Sequence, residues 1–180
     1  MNKKLLSSLL VAGMFMSQVA PVFAATQSSV LNIEAKATTV NMTVPGTAAI
    51  VFNENGTNTT PTNFNITNNS QIAGVHLESV DLDAGASGWK VVDASTEIKT
   101  QAVNTKNIRL KVGKEGQEQI VQPTSGTSDS TGKATLGQSL FSIAAEGTET
   151  MKFVVERGAF TTPEAETKAF DMTLNFEFNA

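Results

Sequence analysis

Apolar residues recur at every second position in several short runs of this chain, and Gly, Pro and Asn separate the runs. Such alternation puts successive side chains on opposite faces of a β-strand. Val40, Met42 and Val44 alternate with Asn41 and Thr43 until Pro45-Gly46 ends the run. Ala48 to Phe52 is a short continuous apolar stretch, the pattern of a strand buried on both faces. Phe64 and Ile66 alternate with Asn65 and Thr67 before the turn Asn68-Asn69-Ser70. Val75 and Leu77 share one parity, Val80 and Leu82 the other. That switch predicts a bulge near Glu78-Ser79, which returns both halves to the inward face.

Further along, Ile108, Leu110 and Val112 alternate with Arg109 and Lys111, and Phe153 alternates with Val155. The last run is the longest: Phe170, Met172, Leu174, Phe176 and Phe178 share one face, which predicts a central core strand. Helical periodicity is weak throughout; Thr162 to Ala169 has room for a turn or two. Residues 53–61 read as a Gly/Asn/Thr connection, and the polar stretch 122–138 reads as a long exposed loop. Seven or more strand runs with turn residues between them predict an all-β fold, a single β-sandwich.

The chain's start sets the expected compartment. Lys3 and Lys4 precede an apolar stretch from Leu5 to Ala20, and Val22 and Ala24 stand at the −3 and −1 positions of a cleavage site. Residues 1–24 therefore read as a secretory signal peptide. The expected product is a 25–39 arm followed by a 40–180 domain, secreted to the extracellular space or cell surface of a bacterium, on the Gram-positive pattern. Without Lys3 and Lys4 the 13 basic residues fall to 11 against 17 acidic ones, a net charge of −6. No basic cluster invites nucleic acid or an anionic membrane. After the leader no stretch is long and apolar enough for a membrane helix. Cysteine is absent, which excludes disulfides and a lipidated cysteine, and the end "MTLNFEFNA" carries no sortase-type motif.

The residues offer little catalytic chemistry. There is no Tyr, and the single histidine, His76, sits in a strand pattern where it reads as a solvent-facing residue. "DLDAG" opens like a calcium loop with Asp81 and Asp83, but the third acidic ligand and the closing Glu are missing. It reads as a polar turn, with Asp93 further on. Trp89 reads as a core plug, the alternative being a sugar-stacking residue. Five N-x-S/T sequons, starting at Asn41, Asn55, Asn58, Asn65 and Asn68, follow from a Thr/Asn-rich composition. The expectation is no enzyme, no cofactor and no metal.

"TVPGTAAIVFNENG", "PTNFNITNNS", "VHLESVDL" and "GWKVV", spread over Val40 to Val92, resemble secreted surface and matrix proteins of Firmicutes. The named group they are most similar to is the TasA/camelysin class of biofilm-fibre proteins. That resemblance implies a jelly-roll-like sandwich whose subunits join by donor-strand exchange. The composition points the same way. Residues 41–70 hold one charge, Glu54, so their strands lack the Lys gatekeepers that keep sheet edges apart. The arm "ATQSSVLNIEAKATT" is strand-competent, with Val30, Leu31, Ile33 and Ala35 as candidate assembly residues. It either folds back as the domain's own first strand or pairs with a neighbour. The expected function is a structural subunit of an extracellular fibre, pilus-like filament or biofilm matrix, partnered by itself and by other matrix or cell-surface components. The alternative is a secreted adhesin or glycan-binding module.

Overall fold

The alternating runs fold as strands. A computed structural model describes residues 40–180, and among them there is no α-helix, only a 3-10 turn at Ile98–Thr100. The leader and the arm, with Val30, Leu31, Ile33 and Ala35, lie outside the described residues. In chain order the strands are β1 (Met42–Thr43), β2 (Val51–Phe52), β3 (Asn58–Thr59), β4 (Asn65–Asn68) and β5 (Val75–Asp83). Then come β6 (Lys90–Val92), β7 (Asn107–Gly113), β8 (Gln119–Ile120), β9 (Gln122–Pro123) and β10 (Ser128–Asp129). The last five are β11 (Thr131–Thr135), β12 (Ser142–Ile143), β13 (Thr148–Thr150), β14 (Lys152–Arg157) and β15 (Asp171–Phe178).

Two five-stranded sheets carry most of the chain. In the first, β5 is central, with β15 along one side and β11 and β12 along the other, and β9 beyond β11. In the second, β7 is central, with β14 on one side, β6 and β8 on the other, and β10 beyond β6. A three-stranded sheet β1-β4-β13 and the hairpin β2-β3 complete the set. All pairs are antiparallel except β6 with β7. Three bent segments pass from one sheet to the next: β8 into β9 through Val121, β10 into β11 through Ser130, and β13 into β14 through Met151. Val121 and Met151 are fully buried at these bends. One apolar cluster unites the sheets, with Val75, Leu77, Val80 and Leu82 from β5, Ile108, Leu110 and Val112 from β7, and Phe64 and Ile66 from around β4.

The predicted bulge is present. Asn175 pairs with Ser79 and the next residue, Phe176, with Leu77, so Glu78 is the extra residue of β5. Val75, Leu77, Val80 and Leu82 all reach the core as a result.

Elsewhere the structure corrects the pattern. The stretch 122–138 is no loop but most of a bent hairpin, β9 to β11, in which Gly132, Ala134 and Leu136 alternate inward. Small residues on that inner face hid the alternation. The Ala48–Phe52 run yields only the two-residue β2, and Val51 is 53% exposed, because the hairpin β2-β3 belongs to neither large sheet. Residues 162–169 are irregular, without a helical turn. The largest correction concerns β15, which is not central: among the described residues it pairs with β5 alone. Phe170, Met172, Leu174 and Phe176 are only partly buried against the core, and Phe178 is 38% exposed.

Candidate functional site

A strand at the edge of a sheet presents backbone N–H and C=O groups that another strand can pair with. Among the described residues β15 is the longest such edge, eight residues with neither Pro nor Lys. Its core-side row, Met172, Leu174 and Phe176, continues the inner surface of the sheet at half cover. Its outer row, Asp171, Thr173, Asn175 and Glu177, faces Asp83, Asp81, Ser79 and His76 of β5. Asn175 Nδ2 donates to Ser79 Oγ (3.0 Å) and to Asp81 Oδ2 (2.5 Å), which fixes the register on the side already paired.

The edges at β9, β10 and β14 are blunted. β9 is two residues long and ends in Pro123, and β10 is equally short. β14 carries Lys152, Glu156 and Arg157, and side chains bond along its edge. Asn58 Nδ2 donates to the Val155 carbonyl (2.8 Å), and Arg157 Nη2 to that of Asn53 (2.9 Å). The strands of residues 40–67, expected to be the receptive edges, are short pieces here, and β4 is paired on both sides by β1 and β13.

Trp89 is buried at 8% exposure, as the core reading expected. Phe52 and Phe160 flank it with ring centroids at 5.8 and 5.9 Å, and the Arg157 guanidinium lies 5.0 Å from the Phe52 ring. The indole therefore offers no open face for a sugar to stack on. Asp83 serves a turn: Gly85 N donates to its Oδ1 at 2.8 Å. Asp93 also organises a turn, accepting from the backbone and hydroxyl groups of Ser95 and Thr96. The Ser95 hydroxyl, then that of Thr96, holds its carboxyl below the usual range. Arg109 pins the same turn, with Nε on the Asp93 carbonyl (3.1 Å) and Nη1 on Glu156 Oε2 (2.6 Å).

His76 overturns its expectation. It is 7% exposed rather than solvent-facing. Asn179, just beyond β15, closes over it, and Asn179 N donates to the Gly74 carbonyl (3.0 Å). No sequence pattern linked residues 103 positions apart.

No protein-family model, characterised protein or solved structure matches this chain.

Proposed function

We propose that this chain is a secreted structural subunit, with no enzymatic role, that assembles with copies of itself by strand addition. The observation that carries the reading is the open edge of β15, unblunted and backed by the half-covered Met172, Leu174 and Phe176. The occupant proposed is the 25–39 arm of a second copy. With Val30, Leu31, Ile33 and Ala35 it has the length and apolar content of one added strand, and its Glu34 and Lys36 cancel in charge. Backbone bonds supply affinity in such pairing, and alternate side chains supply register. A head-to-tail contact of this kind propagates unless its rotation closes a ring. Fibres or matrix at the bacterial surface are the expected product, in line with the signal-like leader and the charge-poor composition. Buried Trp89 leaves the glycan-binding alternative without its candidate residue.

The test compares residues 25–180 with residues 40–180 by sedimentation and electron microscopy. The longer chain is expected to form concentration-dependent oligomers or fibres, the shorter to stay monomeric. Thr173→Lys, which sets a Lys opposite Asp81 and leaves the fold intact, is expected to block assembly as edge lysines do. A monomeric 25–180 chain at high concentration overturns the proposal and makes the arm the domain's own strand.

A further inference from the structure

The bulge at Glu78 has a chemical consequence on the outer face of the first sheet. His76 and Glu78 lie on that face of β5, and Glu177 of β15 pairs directly across from His76. The ligating atoms of all three lie within 4.8 Å of one another. His76 Nε2 stands 3.5 Å from Glu78 Oε2.

The orientation of the ring is fixed from behind. Asn179 Nδ2 donates to Ser142 Oγ (3.0 Å), which turns Asn179 Oδ1 toward His76 Nδ1 at 3.2 Å. An amide oxygen only accepts, so this contact is a hydrogen bond in the tautomer that carries its proton on Nδ1. In the neutral ring, Nε2 then points a bare lone pair at the Glu78 carboxylate. Gly74 makes this arrangement possible, because a Cβ there would lie 2.5 Å from Asn179 Nδ2. No Lys or Arg pairs with Glu78 or Glu177 among the described residues. A lone pair and two carboxylates converge with nothing positive between them.

We propose that His76 Nε2, Glu78 and Glu177 bind a divalent transition-metal cation of the zinc class. Two ligands on one tetrahedral zinc ion stand about 3.3 Å apart, given bonds of about 2.0–2.1 Å, and the His76–Glu78 spacing already has that bite. Glu177 is exposed and free to close the remaining distance by a rotamer change. The imidazole selects zinc, copper or nickel over magnesium or calcium. Asn179 supplies the hydrogen bond that metal-bound histidines characteristically make through their other nitrogen. The fourth position faces solvent and takes water. The ion ties the end of β15 to β5, since two ligands come from one strand and the third from the other.

His76 is the sole histidine, so one imidazole reports on the site. The experiment titrates chelator-treated 25–180 protein with Zn²⁺ at neutral pH, reading the His76 ring ¹⁵N resonances and the melting temperature, with Mg²⁺ as control. The expected result is stoichiometric binding, a shift of Nε2 with Nδ1 still protonated, and a melting temperature raised by about 5 °C or more at a hundredfold excess over Kd. Glu177→Gln, at an exposed position that leaves the fold intact, weakens binding at least tenfold, and His76→Gln abolishes it. Asn179→Ala weakens it by about 10–100-fold, the usual effect of losing such a hydrogen bond. If neither observable responds to Zn²⁺, the proposal is overturned. Equal binding by the Glu177→Gln protein also overturns it.

Discussion

Leu77 and Phe176 are cross-strand neighbours beside the Glu78 bulge, yet Leu77 is fully buried and Phe176 only partly so. The difference measures position in the sheet. Leu77 is bonded on its other side to Phe141 and Gly137, in the connection between β11 and β12, whereas β15 has a partner on one side only among the described residues. Leu77→Ala is expected to cost about 2–5 kcal/mol, the range for a buried leucine. Phe176→Ala is expected to cost about 2 kcal/mol in the monomer, well below the ~3–5 kcal/mol of a fully buried Phe. Denaturant unfolding of both variants checks the order, and a larger loss at Phe176 would make β15 a core strand after all.

The sheet junction is tight at Gly132. A Cβ there would stand 2.5 Å from Val91 Cγ2, 2.9 Å from Val121 Cγ1 and 3.0 Å from the Gln122 carbonyl oxygen. Gly132→Ala should therefore destabilise by about 1–3 kcal/mol, as overpacking does, despite the better strand propensity of alanine. Gly46→Ala, where the added Cβ meets nothing within 4 Å, serves as the control and should lie within about 0.5 kcal/mol of the parent. Similar losses at both sites would remove the junction as the cause.

Trp89 gives a direct optical test, being the single tryptophan. Enclosed by Phe52 and Phe160, it should emit at short wavelength, resist quenching by iodide and ignore added sugars. Emission that responds to a glycan would restore the adhesin reading.

Asp93 governs an acid-side effect. Its folded pKa lies below the unfolded value of about 3.9, so its ionised form is the one the Ser95 and Thr96 hydrogen bonds stabilise. That contribution is fully present above about pH 4 and fades as pH falls through the folded pKa. The stability gap between the parent and Asp93→Asn should be constant from neutral pH to about pH 4, then shrink on further acidification. A gap that widens in acid would contradict the assignment.

Much of the fold was legible because alternation reports which face a residue takes. The parity switch from Leu77 to Val80 located the bulge to the Glu78-Ser79 pair, and Phe64, Ile66, Ile108, Leu110 and Val112 went inward as their spacing required. Alternation does not report where a strand lies in its sheet. Phe170 to Phe178 read as central because it is the longest apolar row, while its neighbours are set by contacts far away in sequence. The Gly132-Ala134-Leu136 row escaped notice because glycine and alanine carry little hydrophobic signal. His76 was missed for a third reason: its cover is Asn179, a polar residue that no apolar pattern marks. The 25–39 arm, with Val30, Leu31, Ile33 and Ala35, lies outside the described residues.

Amide hydrogen exchange along β15 tests the central claim most directly. In 40–180 protein, the backbone amides of Asp171–Phe178 that are not bonded to β5 should exchange rapidly at every concentration. In 25–180 protein they should gain protection as concentration rises and assembly proceeds, and Ile33→Lys in the arm should prevent that gain. Protection in 25–180 protein that is already complete in dilute monomer would show the arm pairing within its own chain. Free exchange of those amides in assembled material would show that β15 is not the edge through which copies join.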